Sequence, residues 1–359
     1  MEIKSYSMNW HYPTGIRVGA GRISELPKAC RQLGMTSPLL VTDPGLAALP
    51  MVEAALQLCR DAGLQVGLFS GVKGNPTGGN VTDGVAALKA GQHDGVIAFG
   101  GGSAIDAAKA IALVAHQECT LWDAGPGTVD ASKMLPVVAV PTTAGTGSEV
   151  GQAVVITDDE SHVKRVIFHQ KMVPAIVILD PELTVGLPAK LTAATGMDAL
   201  AHNVEAFCAP VYHPMAEGIA LEGMRLVKDF LPRATKQGED IDARLQMQVA
   251  SSMGAVAFQR GLGGIHAVSH SLGAVYDAHH GLLNAIVMPY MLQANRPVIE
   301  DEMARAARYL DLPKQNFDGM LDWILDLRSE LGIPHTLAEI NIDDAQAETI
   351  GAMSAKDVA

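Results

Sequence analysis

The chain has 359 residues, 48% of them hydrophobic and 18% charged, with a formal net charge of −13. That length exceeds one ordinary core and predicts two domains, while the acidic balance without a basic cluster excludes nucleic acid as a partner. Charges, Gly and Pro interrupt every apolar run before it reaches the roughly 18 residues of a membrane span. The N-terminal stretch MEIKSYSMNWHYPTG lacks the apolar core of a signal peptide, so the expected compartment is the cytoplasm. There the four cysteines, Cys30, Cys59, Cys119 and Cys208, none in a C-x-x-C pair, read as reduced structural thiols. Asn80-Val81-Thr82 fits a glycosylation sequon that goes unused without export.

In chain order, short apolar runs at 38–42, 65–70, 95–99, 135–140 and 175–179 predict strands, with amphipathic helical stretches such as 51–62, 80–90 and 104–115 between them. Buried strands separated by helices imply a parallel sheet covered on both faces. From about Pro188 the pattern becomes helical throughout: 192–209, 214–229, 241–258, 264–275 and 284–293, then shorter segments to the end. The change falls near Asp180-Pro181-Glu182-Leu183, where a turn residue precedes proline. The predicted architecture is an α/β nucleotide-binding domain over residues 1–182 and an all-helical domain over 183–359.

Gly100-Gly101-Gly102-Ser103 follows directly after the strand GVIAF and opens a helix. Glycines let the backbone approach a ligand, and the helix start offers unbonded N–H groups and the positive end of its dipole to a pyrophosphate. The order matches neither G-x-G-x-x-G nor a G-K-[ST] loop, and standing alone it would also suit a plain tight turn. A second loop, PTTAGTGSE (141–149), follows the strand LPVVAV with hydroxyls and glycines suited to a ribose or phosphate, although such loops are common. Asp43, just past the strand PLLVT, would bind an adenosine ribose diol and repel a 2′-phosphate, favouring NAD over NADP. By itself it reads as a turn-forming Asp before Pro44.

Six of the twelve histidines lie between positions 202 and 280. Asp198 and His202 are spaced i,i+4, as are His266 and His270, so each pair shares one helical face; His279-His280-Gly281 adds a third position. One carboxylate with imidazoles suits a divalent ion such as Fe(II), Zn(II) or Mn(II), and the absence of Cys ligands argues against a structural zinc. A lone histidine on an apolar helix is more often a satisfied core residue, but several imidazoles on apolar helices are costly to bury uncoordinated.

These strings together, GGGSAIDAAKA (100–110), VPTTAGTGSEV (140–150), DPELTVGLP (180–188), GMDALAHNVEAF (196–207) and GIHAVSHSLGAVYDAHHGLLNAIVMPY (264–290), closely resemble the iron-containing alcohol dehydrogenase family, in the family's order and over most of the chain. The resemblance implies a fold similar to that of dehydroquinate synthase and glycerol dehydrogenase. It also implies a metal held by Asp198, His202, His266 and His280, with His270 lining the site in a proton relay. It carries cofactor contacts onto Asp43, Asn75, Gly101, Gly102, Ser103, Asp106, Thr142, Thr143 and Ser148. Lys164 falls where the family commonly has a lysine, in a poorly matched segment, and Leu183 falls at the domain junction. The implied activity is metal-dependent, NAD(H)-linked interconversion of a small alcohol or diol and its aldehyde. Fe(II) is the expected metal with Zn(II) as the alternative, and the expected assembly is a homodimer or higher oligomer.

Two departures stand out. Phe258-Gln259-Arg260 replaces the family's usual aromatic and Ser/Asn-Asn segment, which bears on substrate size. The sequence ends at Ala359, where relatives usually continue. The rivals are a glycerol-type polyol dehydrogenase and a maleylacetate-reductase-like enzyme, whose anionic substrate would need more local positive charge. A dehydroquinate-synthase-like lyase would need basic residues that 190–290 offers only sparsely, and a silent metal-binding protein sits poorly with the intact cofactor loop.

Overall fold

The computed structural model describes residues 12, 14–125, 127–161 and 163–357. It divides into two compact units: Pro13–Thr143 with Ser148–Val185, and a second that includes Ala144–Gly147 and Gly186–Ala359. The sequence placed the junction at 182/183; the contacts place it at Val185/Gly186 and assign four residues of the 141–149 loop to the second unit.

The first unit runs β1 (Gly15–Val18), α1 (Leu26–Gln32), β2 (Pro38–Val41), α2 (Pro44–Ala47), α3 (Pro50–Asp61), β3 (Gly67–Phe69), α4 (Gly78–Ala90), β4 (Gly95–Gly100), α5 (Gly102–Val114), β5 (Val137–Pro141), β6 (Ala153–Thr157), β7 (Lys164–Phe168) and β8 (Ile176–Leu179). Six strands form a parallel sheet in the order β1-β8-β5-β4-β2-β3, and β6 and β7 form a separate antiparallel pair. β2, β4, β5 and β8 are buried along their whole length, as unbroken apolar runs in a parallel sheet require. Leu40, Ile97, Phe99, Val138 and Ile178 pack with Leu26 of α1 and Val52 and Leu56 of α3. The alternate positions Val96, Ala98, Ala139 and Val177 are equally buried, and α5 lies against β4 and β5.

The order of the strands reverses between β2 and β4: β3 lies outward from β2, whereas β5, β8 and β1 continue the other way from β4. In open parallel sheets such a switch point opens a ligand crevice at the carboxyl ends of the strands. Asp43 follows β2 and the three glycines span the end of β4 and the start of α5, so these two candidate cofactor motifs flank that point. The sequon is spent structurally. Asn80 is buried, and its side chain completes a capping box with Thr77 at the start of α4 while donating to the Gly71 carbonyl at 3.1 Å.

The second unit comprises α6 (Ala189–Cys208), α7 (Pro214–Lys236), α8 (Ile241–Ala257), α9 (Gly264–Tyr276), α10 (His280–Tyr309), α11 (Phe317–Glu330) and α12 (Ala347–Ser354) around one apolar core. α6 lies at its centre, and nearly every residue from Thr192 to Phe207 is buried. Small residues permit the close approaches: a Cβ at Gly281 would come within 2.5 Å of the Ala194 carbonyl, and one at Gly254 within 2.9 Å of His202 Cβ. α10 runs through Pro289, which supplies no N–H to the preceding turn. Arg328 of α11, itself buried, donates to the nearby Ile286 carbonyl at 3.1 Å. Among the described residues, no helix is long and apolar enough to cross a membrane. The four cysteines are free thiols.

Candidate metal centre

α6 presents Asp198, His202 and Glu205 along one side, because i, i+4 and i+7 share a helical face. α9 brings His266 and His270 through the same spacing, and His280 opens α10 with Asn284 one turn later. Asp198, His202 and His266 are buried, and one ligand atom from each lies within 4.8 Å of the others. His280 Nε2 is 3.5 Å from Asp198 Oδ1, and His266 Nε2 is 3.8 Å from the same oxygen. Metal–ligand bonds near 2.1 Å imply ligand-to-ligand edges of about 3.4 Å in a tetrahedral site, so these separations fit a divalent ion. The donors also converge. The Asn284 side-chain nitrogen lies 2.7 Å from Asp198 Oδ1, 3.2 Å from His266 Nε2 and 3.1 Å from His280 Nε2.

The outer nitrogens are held. His202 Nδ1 donates to the Gly145 carbonyl at 3.3 Å. His266 Nδ1 makes a short hydrogen bond to Glu205, whose other oxygen accepts from the Ile265 N–H at 2.7 Å. His270 Nδ1 donates to Asp357 at 3.2 Å, with its ring stacked on His280 at a centroid distance of 5.3 Å. His279 caps α10, accepting from the Leu282 N–H at 3.3 Å, so His280 and not its neighbour faces Asp198.

The charges follow from this packing. Burial pushes Asp198 up, but the surrounding imidazoles outweigh it and hold the carboxyl well below the usual range. Burial lowers His202 to about 4, against the pull of Asp198. Burial also opposes charge on His266, yet Glu205 and Asp198 raise it to about 9. The site is therefore a set of N and O donors, three of them buried, around an anionic carboxylate, an environment that favours a cation.

Residues 13–181 match the family described as iron-containing alcohol dehydrogenase, and residues 192–359 match its C-terminal family. The chain belongs to the iron-containing alcohol dehydrogenase family. It is 41% identical over 351 residues to a 4-hydroxybutyrate dehydrogenase of Cupriavidus necator, covering 93% of this chain and 90% of that one. It is 36% identical to an NAD-dependent methanol dehydrogenase of Bacillus methanolicus, covering 98% and 94%. A solved structure of a 1,3-propanediol oxidoreductase superposes with a TM-score of 0.93 at 35% identity, over 98% of this chain and 94% of that one. As a member of the family the protein is an oxidoreductase acting on alcohols, with a divalent metal and NAD(H) as the cofactors that membership implies.

In the family's nucleotide-binding half, the sequence-predicted residues separate into two groups. Gly101, Gly102, Ser103, Thr142 and Thr143 come together at the ends of β4 and β5. The Thr142 N–H donates to the Gly100 carbonyl at 3.0 Å, and a Cβ on Gly101 would lie 3.4 Å from the Thr143 side chain. Ser103 donates to the Gly74 carbonyl, which draws the loop bearing Asn75 to the same place. Gly100 has a φ of +146°, and a Cβ there would meet Ala104 Cβ at 2.8 Å, so only glycine fits. α5 begins without a side-chain cap, which leaves its first N–H groups for a ligand. Asp43 accepts from the Leu46 N–H at 2.9 Å through one oxygen, capping α2.

The remaining residues lie apart. Asp106 accepts from Ser148 and from the Val155 N–H at 2.9 Å, one turn along α5. Lys109, almost fully buried, donates to the Ser148 and Ala153 carbonyls at 3.0 and 2.7 Å. Burial lowers the Lys109 amine and raises the Asp106 carboxyl, each opposed by the other's charge. This cluster ties the 148–155 segment to α5. Lys164 opens β7, and Leu183 is buried in the core under the sheet.

Glu205 and Asn284 went unread in the sequence. Their signal was position: Glu205 lies three residues after His202 within an otherwise apolar helical stretch, and Asn284 lies one turn after His280. The departure at 258–260 is also explained. Arg260 is buried and donates to the carbonyls of Phe207, Ala209 and Val211 at 2.8, 2.6 and 2.8 Å, satisfying the orphan end of α6. Phe258 packs on the His202 ring at 5.2 Å between centroids.

Proposed function

We propose that this enzyme interconverts a short primary alcohol or diol and its aldehyde with NAD(H), and that Asp198, His202, His266 and His280 hold one divalent metal, Fe(II) in preference to Zn(II). The observation that carries the reading is the convergence of these donors, with three of them buried within 4.8 Å of one another. When bound, the ion supplies Lewis-acid polarisation of the substrate oxygen, and the nicotinamide supplies the hydride acceptor or donor. The protein's own part is positioning and proton handling. Buried helices around Asp198, His202 and His266 keep water from three of the donors, and His280 remains partly exposed. His270 is fixed by Asp357 through Nδ1, which leaves Nε2 as the nitrogen that exchanges the hydroxyl proton.

The dinucleotide is assigned to the switch point of the sheet, with its pyrophosphate at Gly101-Gly102-Ser103 and the start of α5. Asn75, Thr142 and Thr143 border it, and Asp106 and Ser148 hold the 148–155 segment beside it. Asp43 is assigned to the adenosine ribose, where its carboxylate favours NAD over NADP. Lys164 and Leu183 are assigned to its periphery. The relatives named for 4-hydroxybutyrate, methanol and 1,3-propanediol point to short hydroxylated chains as substrates. The assembly is assigned as a homodimer in the cytoplasm, following the family resemblance, and light scattering tests the mass.

Chelation followed by addition of Fe(II) or Zn(II) tests the whole reading. NADH oxidation with a panel of short aldehydes should vanish with the metal and return with it; undiminished turnover in chelated enzyme would sink the proposal. Asp43→Gly should improve use of NADPH, and an unchanged cofactor preference would remove Asp43 from the ribose.

A further inference from the structure

We infer that Glu205 is a positioning residue that fixes His266 as its Nδ1–H tautomer, thereby presenting Nε2 to the metal and setting metal affinity. The inference rests on the assignment of His266 as a ligand made above. It starts from what α9 lacks. The cap position of that helix is Gly263, which has no side chain to satisfy the first N–H groups. Glu205 reaches across from α6 and accepts from the Ile265 N–H at 2.7 Å through Oε1. Its second oxygen takes His266 Nδ1.

Glu205 and His266 are 7% and 1% exposed, so water does not compete for either contact. An ionised carboxylate only accepts hydrogen bonds, so Nδ1 must be the donor. When a metal displaces the second ring proton, the lone pair is then on Nε2, the nitrogen that lies 3.8 Å from Asp198 Oδ1 and 3.2 Å from the Asn284 amide. A Cβ at Gly263 would come within 3.0 Å of Glu205 Oε1, so the glycine also leaves room for the carboxylate. His202 differs in having a neutral backbone carbonyl as its outer partner, at 3.3 Å. Charged outer partners of this kind orient a ligating imidazole and raise its basicity, and losing one costs about 10–100-fold in metal affinity.

Glu205→Gln separates this role from helix capping. The glutamine carbonyl can still accept from Ile265, but its NH2 group would then face His266 Nδ1 and demand the opposite tautomer, whose Nε2–H cannot ligate. Zinc is the probe, because it is diamagnetic. Competition with a chromophoric chelator should show the zinc dissociation constant of E205Q raised about 10–100-fold, while the circular dichroism and melting midpoint of the metal-free protein stay near those of the parent. In the zinc-loaded parent, 15N imidazole spectra should show His266 protonated at Nδ1 and coordinated through Nε2; this readout stands even if the variant folds poorly. A folded E205Q with parental zinc affinity, or coordination of parental His266 through Nδ1, overturns the inference. His266→Ala is the control. If it loses zinc while E205Q does not, the ligand assignment stands and only the role of Glu205 falls. If it binds zinc like the parent, the ligand assignment itself fails.

Discussion

The two units form their sites from different parts of the polypeptide. In the α/β unit the candidate dinucleotide site is chiefly backbone: glycines at the end of β4, uncapped N–H groups at the start of α5, and a loop drawn in by Ser103. In the helical unit the candidate metal site is chiefly side chain, with four donors on three helices and outer partners on two of their rings. A backbone site is specified by where a Cβ is forbidden, and a side-chain site by which residues share a helical face. The first kind tolerates charge changes but not bulk, and the second tolerates neither loss of a donor nor loss of its partner.

The largest expected effect tests the side-chain half. Asp198→Asn keeps the shape of the carboxylate and removes its charge. Aldehyde-dependent NADH oxidation should fall roughly a thousandfold, about 4 kcal/mol, together with bound metal, while fluorescence titration with NADH is unchanged. A loss of NADH binding of similar size would break the comparison. Next in size, Arg260→Ala strips three carbonyls at and just beyond the end of α6 of their donor and removes one of the two arginines paired with Glu217, leaving Arg305. Denaturant titration should show about 3 kcal/mol less stability.

The backbone half is tested by Gly100→Ala, which forces a side chain onto a φ of +146° and into Ala104. The expected cost is about 2 kcal/mol, appearing as weaker NADH binding with metal content unchanged. The smallest effect concerns pH. Partial burial pushes Asp94 up, but hydrogen bonds from the Thr36 hydroxyl and the N–H groups of Thr36 and Ser37 together hold it below the usual carboxylate range. Because the folded value is the depressed one, this stabilisation is present above the ordinary Asp value of about 4 and is lost as pH falls below it. Asp94→Asn should lower the melting midpoint slightly at pH 7, by about 1 kcal/mol in stability, and the gap from the parent should narrow below pH 4.

The contrast also explains what the sequence disclosed. The five predicted strands are the fully buried or inner ones plus β3, because continuous apolar runs declare themselves. β1 reads GIRV, short and half-exposed, and β6 alternates buried and half-buried residues over only five positions, so neither stood out from loop. The sequence ended two helices early. α7 continues to Lys236 through Pro232, and α10 to Tyr309 through Pro289 and Pro297. Proline is a poor stop signal where packing holds the helix on both sides of it, as the buried Met288, Leu292 and Ile299 do in α10. The ligand candidates were legible because a 3.6-residue period puts i and i+4 together. Their outer partners were not, because Gly145–His202 and Glu205–His266 join positions about 60 residues apart.

One of those pairings bears on how the protein can be dissected. The family's two sequence descriptions meet between residues 181 and 192, as though the chain were two beads on a string. Yet Ala144–Gly147 pack with the helical unit, and the Gly145 carbonyl receives the His202 ring. The backbone therefore crosses from one unit to the other at 143/144, at 147/148 and at 185/186. A fragment cut at 186 would carry all four candidate metal donors but leave His202 without its carbonyl, and a Cβ at Gly147 would collide with Ala255 at 2.3 Å, so the loop must also keep its glycine. The helical half is thus not a transplantable module: a gene fusion or domain swap that honours the linear boundary leaves behind a piece of the candidate site it means to move.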